Sequence, residues 1–554
     1  MENRITIFEA KKIVTMNPTN PEGTHVAVRE GKVLGVGTLD EVKGWGKYTL
    51  DETFKDKVLI PGLVEAHSHA TEGSMWADPY VGYFDRTDPK GNVWPGCRPL
   101  DAVVARIKEI EAEVADPNSL LMVWGMDPIY FPDERLTADH LDTVSTTRPI
   151  FVLHANGHVA TVNRACLRKY NITRDCKVVG VLRGSDGEPN GELSELAAMF
   201  QVTEVLERLM AAMASEQSLR DYGRIANLTG CTTVTELGTA PMHDPKAAEM
   251  FRRVVNDPAF QTRLVVYYGS SFGGPQDAEG IADAMQKLKA EDTDKFRTGG
   301  IKTYLDGSIQ GFSACVGWPG YFKGDGQGIW NEAPEQFAAK LAVYHRAGIN
   351  VHTHCNGDEA VQVFIEKVED VLRDCAWLDH RHTVQHSALT TAAQYRKMAK
   401  LGICANLFIN HMWYWADQHY EITVGPERAN RMNSCATAGR EGVSYSFHSD
   451  AAITPLGHLH TMWCAVNRVT PKGRIVGENE RISAYDALYA ATVGAAYQLH
   501  MEHEIGTIEC GKFADFAVLD ESPLDVAPMK IKNITVWGTV VGGVKYEAAK
   551  PTQP

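Results

Sequence analysis

Two hydrophobic periods alternate along the chain. Near the N-terminal end, VAVREGKVLGVG at 26–37 predicts two short strands around the turn Glu30-Gly31-Lys32. The C-terminal end is similar. GTIECGKFADFAVLD and IKNITVWGTVVGGVKY carry the same short β-branched runs broken by glycine. Chain ends often meet in space, so both ends are expected in one composite β-sandwich, residues 1–58 plus 503–554.

The middle of the chain alternates differently. Short apolar, β-branched runs recur at Leu59–Val64, Thr232–Leu237, Arg263–Gly269, Gly300–Leu305, Asn350–His354, His382–His386, Ile403–Leu407 and Val443–Phe447. Most are separated by room for a helix. Such alternation predicts parallel strands, and eight of them predict a (β/α)8 TIM-like barrel over 59–502. The gap after the first strand is too long for one crossover, so about 71–215 is expected to be an insertion. Within it LDAVVARIKEIEAEV has apolar positions at helical spacing.

Composition narrows the function. The chain has 554 residues, 44% hydrophobic and 23% charged, with a formal net charge of −15. That is a globular composition, and its acidity argues against nucleic acid as a partner. No apolar run approaches the roughly 20 residues of a membrane helix. MENRITIFEAKKIVTM places charges where a signal peptide needs an apolar segment. The 11 cysteines show no C-x-x-C pair. A cytoplasmic protein with reduced thiols is therefore expected, Cys355 and Cys404 being core residues. A homodimer is the base-rate expectation for the oligomeric state.

Chemistry concentrates at strand ends. In LIPGLVEAHSH, His67 and His69 are two residues apart, so on a strand both imidazoles face one way. At the C-terminal end of a barrel strand that way is the active-site mouth. Later strands end in further candidate ligands: Lys302, His354, His386 and Asp450. Imidazoles and carboxylates bind divalent metals. A lysine ammonium would repel a cation, but an amine carbamylated by carbon dioxide is anionic and can bridge two ions.

These motifs carry a resemblance. LIPGLVEAHSH, GHVATVNRACL, DGEPNGELSE, IKTYLDGS, HTHCNGDEA, RHTVQHSAL and HSDAAITPLGHL occur in the order seen in the metal-dependent amidohydrolase superfamily, and GTIECGKFADFAVLD closes the series. The chain resembles its amidohydrolase 3 branch, which includes N-substituted formamide deformylases, over almost its whole length. The resemblance implies that His67, His69 and Asp450 bind one metal, that His354 and His386 bind a second, and that carbamylated Lys302 bridges them. It implies one or two divalent ions, zinc foremost. It also implies hydrolysis of an amide or N-formyl C–N bond in a small organic substrate, with Asp450 as general base and acid. Glu65, Asn356 and Gln385 depart from the family's usual residues without removing a ligand. A deaminase, decarboxylase or lyase on the same metal site is the alternative. A catalytically inactive scaffold is disfavoured because all six ligand positions are filled.

Other residues are weighed more evenly. His352 and His382 share strand faces with His354 and His386 and are expected one layer deeper. His448 is expected in a loop or on the outside. His158 and Asn163 in the insertion, Asp306 after Lys302, and His411 and Trp413 after the seventh strand are candidate substrate contacts. Asn163 and Asp306 can equally be helix caps. The aromatic run 410–420 is expected either to line an apolar pocket or to pack under the insertion. The segment 76–96 is a candidate lid.

Overall fold

The computed structural model describes residues 5–550 apart from 133, 158, 239, 271–276 and 325. Two compact units emerge, one from the residues up to 69 together with 223–548, the other from 70–222.

The larger unit holds an eight-stranded parallel sheet in sequence order, a TIM-like barrel. Its strands are β1 (Leu63–Glu65), β2 (Cys231–Leu237), β3 (Arg263–Gly269), β4 (Phe296–Tyr304), β5 (Val351–Cys355), β6 (Thr383–His386), β7 (Cys404–Leu407) and β8 (Tyr445–Phe447). The longer helices between β2 and β8 are α1 (Pro245–Asn256), α2 (Ala278–Lys289), α3 (Pro334–Arg346), α4 (Asp358–Asp374), α5 (Ala392–Leu401) and α6 (Cys435–Glu441). Helix α4 shows why they form. Asp358 and Glu359 in its first turn complement the helix dipole, and Val361, Phe364, Ile365 and Val368 bury one face at helical spacing. Helix α5 opens on a Thr391/Gln394 capping box and stops at Gly402, whose φ is 73°. Past the strand ends the ring is drawn together where the Asp450 N–H donates to the His67 carbonyl at 3.1 Å and the His69 N–H to the Ala451 carbonyl at 2.6 Å.

Both chain ends enter one hydrogen-bonded sheet of seven strands. The strand Tyr48–Pro61 pairs with Ile5–Val14 on one side and with Phe516–Leu519 on the other. The hairpin expected at 26–37 is present as Glu22–Arg29 and Lys32–Gly37, with Glu30 and Gly31 both in the left-handed region. The apolar run read as a strand at Leu59–Val64 is divided. Its first half belongs to this sheet, and only Leu63–Glu65 is barrel. Gly62 is the joint, where a Cβ would lie 1.8 Å from the Thr232 hydroxyl. The fourth barrel strand also starts earlier than expected, at Phe296. Gly299 and Gly300 lie inside it, where a side chain would strike Tyr267 and Asn350.

The smaller unit contains a five-stranded sheet built from Leu121–Met126, Ile150–His154, Val159–Val162, Val181–Arg183 and Pro189–Ser194. The helix expected at 100–114 spans Leu100–Glu113 and packs on it through Leu100, Val103 and Ile107. The segment 76–96 belongs to this unit's packing: Trp76 meets Trp124 edge-on at 5.3 Å, and Tyr83 stacks on Tyr130 at 4.5 Å.

Candidate metal centre

Parallel register sets the site. Lys302 pairs with His352 across β4 and β5, Tyr304 with His354, and Cys355 with His386 across β5 and β6. The last residues of successive strands therefore converge at one end of the barrel. His67 Nε2 lies 3.3 Å from Asp450 Oδ1, and His69 Nε2 lies 3.5 Å from the same oxygen. Lys302 Nζ is 3.4 Å from His67 Nε2. His386 Nδ1 is 3.8 Å from Asp450 Oδ2, and His386 Nε2 faces His354 Nδ1 at 2.8 Å. All six residues singled out in the sequence as ligands come together. Asp450 and His386 both adopt left-handed backbone, with φ of 53° and 71°. Non-glycine residues held in that region often mark functional sites.

The donor set fits a divalent ion. Tetrahedral sites with N and O ligands at about 2.0–2.2 Å place neighbouring donors about 3.3–3.6 Å apart. The His67–Asp450 and His69–Asp450 separations fall in that range. The orientation of His67 fits as well. Gln385 Oε1 accepts from Asn406 Nδ2 at 3.0 Å and lies 2.8 Å from His67 Nδ1. Since that oxygen can only accept, Nδ1 carries the proton and Nε2 keeps its lone pair for a cation. Gln385 Nε2 lies 2.9 Å from His352 Nδ1, and His352 stacks on Tyr267 at 4.1 Å. His352 thus supports the ligands from one layer below.

Electrostatics agree with a cation. Burial pushes the Lys302 amine down to about 7, despite the opposing pull of Asp450. A neutral amine can sit beside a metal and can react with carbon dioxide. Burial lowers His69 too, but the carboxylates of Asp450 and Glu236 outweigh it and raise the imidazole to about 9. Burial raises Asp450, and His69, His448 and Lys302 outweigh it to hold the carboxyl below its ordinary value. Glu65 is pushed up to about 8 by burial. It accepts from Ser449 Oγ at 2.7 Å and from the His67 N–H at 3.2 Å, so it braces the strand ends on either side of the ring seam.

The profile of the amidohydrolase family matches residues 54–545. The chain belongs to this family. The amidohydrolase is 26% identical to an N-substituted formamide deformylase from Arthrobacter pascens over 96% of each chain. It is 24% identical to Protein LONG AFTER FAR-RED 3 of Arabidopsis thaliana, over 96% of this chain and 89% of that one. Among solved structures, an uncharacterized metal-dependent hydrolase from Pyrococcus horikoshii OT3 superposes with a TM-score of 0.69 at 18% identity, covering 95% of this chain and 99% of the other. That likeness shows the shared fold.

Of the remaining candidate residues, Asp306 borders the centre, its Oδ1 3.9 Å from His354 Nε2. Asp306 is fully buried, and its carboxylate accepts from the backbone N–H groups of Cys315, Asn356 and Gly357 at 2.8–2.9 Å. It organises the turn into α4. Asn163 caps the helix Arg164–Lys169 and accepts from the Ile150 and Cys166 N–H groups. His158 lies outside the described residues. His411 is buried against His419, their Nδ1 and Nε2 2.8 Å apart. Trp413 packs edge-on against Trp463 at 5.3 Å, and Lys532 lies over both rings. The aromatics at 410–420 thus lean on the helix His458–Asn467 of the same unit. His382 lies in the core as expected, 2.9 Å from His345 Nδ1.

Two residues escaped the sequence reading. Glu236, at the end of β2, places a buried carboxylate 3.8 Å from His69 Nδ1. Its signal was there, a strand-end carboxylate on the second barrel strand. His448 is not on the outside. It is in a loop but fully buried, stacked on His67 at 4.5 Å and on Phe408 at 4.8 Å. Period-2 extrapolation failed because Asp450 turns into left-handed backbone.

Proposed function

We propose that this amidohydrolase is a metal-dependent hydrolase that cleaves the C–N bond of a small amide or N-formyl substrate. The observation that carries the reading is the His67–His69–Asp450 triad at ion-sharing distances, with the Lys302 amine 3.4 Å from His67 Nε2. Family membership and the formamide deformylase of A. pascens support the substrate class.

His67, His69 and Asp450 would hold one divalent ion, His354 and His386 a second, and Lys302, as its carbamate, would bridge the two. Zinc suits this mixture of imidazole and carboxylate. When bound, such ions polarise a carbonyl oxygen and make water acidic near neutral pH. The protein's own groups do the rest. Asp450, kept ionised by His69, accepts a proton on its carboxylate and returns it to the departing nitrogen. Gln385 fixes the His67 tautomer, and Glu236 lies on the far nitrogen of His69. Burial of His67, Lys302, His386 and Asp450 limits competing solvent.

The test is a panel of N-substituted formamides and N-acyl amines, with a dihydropyrimidine and a simple ester as contrasts, followed by product masses. Release of free amine, abolished by a chelator and restored by zinc, is expected. Zinc-loaded protein that leaves every amide intact would refute the reading.

A further inference from the structure

His448 lies at the centre against His67 and His386, and the ligand set leaves it unused. Its side chain is fully buried, yet neither ring nitrogen has a hydrogen-bond partner. Leaving buried polar atoms unpaired is costly, and a bound ligand would satisfy them. The ring is held in place. It lies between His67 and Phe408, nearly parallel to both, with interplanar angles of 18° and 23°. It also meets His386 at a ring separation of 5.0 Å. One ligand atom each from His67, His386 and His448 lies within 4.8 Å of the others, as in the His67–His69–Asp450 set.

We propose that His448 is a further ligand of the metal centre, forming with His67 and His386 a three-imidazole cation position beside the His67–His69–Asp450 position. The inference rests on the metal-dependent reading above. Gln385 holds Nδ1 of His67, so its Nε2 is the nitrogen left to serve both positions. An ion drawing on His67 therefore passes between the two sets or takes ligands from both. Three neutral imidazoles favour zinc, cobalt, nickel or copper over magnesium and calcium, which prefer oxygen. His448 thus biases the centre toward borderline metals.

Apo protein is titrated with zinc by calorimetry, and the cobalt(II)-substituted protein is read by its visible absorption. The set comprises wild type, His448→Phe, His448→Asn and His69→Ala. Phenylalanine preserves the stack between His67 and Phe408, and asparagine adds no bulk should phenylalanine misfold. Both His448 variants should bind zinc at least about tenfold more weakly, or lose one equivalent. Their cobalt band should shift while circular dichroism stays native. Unchanged affinity, stoichiometry and cobalt spectrum in both variants, with binding lost in His69→Ala, would overturn the role of His448 alone. A wild type that binds no zinc would overturn this inference and the hydrolase reading together.

Discussion

Gln385 holds one side of His67 while its amide reaches His352, so a single side chain sets the aim of a candidate ligand and ties it to the layer beneath. Replacing it with leucine keeps the volume and removes both contacts. Gln385→Leu is expected to weaken metal affinity about 10–100-fold, as such orienting partners do elsewhere. Zinc competition with a chromogenic chelator measures it. Lys302 is the other decisive residue. Its amine is fully buried, and that burial brings it down to about 7. Lys302→Ala should reduce kcat/KM at least about a hundredfold and lower zinc content below wild type. Added bicarbonate should raise wild-type activity and leave the variant unchanged. A variant with wild-type kcat/KM would remove the lysine from the chemistry.

Elements explain what could be read from the sequence. The barrel was legible because β-branched runs separated by helical stretches have few alternative arrangements, and strand parity put His67 and His69 on one face. The break at Gly62 was not legible. Pro61-Gly62 reads as a pause within one apolar run, whereas Gly62 marks a crossing from one sheet to another forced by Thr232. Gly62→Ala should cost about 1–3 kcal/mol through overpacking against that hydroxyl. It should appear in urea unfolding as a lower midpoint with an unchanged slope. The insertion's five strands were missed because residues 117–200 mix short strands with charged turns and keep neither period long enough. The six candidate ligands were legible as residues at or just past strand ends. His448 was not, since local sequence does not announce the left-handed turn at Asp450.

At the scale of the whole molecule, acid should discriminate between native and unfolded chain through buried histidines. His154, in the smaller unit, is fully buried with Nε2 3.0 Å from the Thr161 hydroxyl, and burial lowers it to about 3. The unfolded chain takes up that proton below about pH 6.5 and the native state only near pH 3. Stability is thus complete above 6.5 and falls as pH drops through this window. His154→Gln keeps a partner for Thr161 and cannot titrate. Between pH 7 and pH 5, wild type should lose about 2 kcal/mol more than the variant in guanidinium melts. Equal losses would assign the acid sensitivity to other groups.

The strand Tyr48–Pro61 lies between Ile5–Val14 and Phe516–Leu519, and the buried Arg263–Asp515 ion pair ties the start of β3 to the segment leading into that last strand. During synthesis the early strands therefore expose an open, hydrogen-bond-hungry edge until nearly all of the polypeptide has left the ribosome. Such an edge invites pairing with neighbouring nascent chains. Expression yield should then be governed by temperature and by holding chaperones, more than by the stability of the finished enzyme.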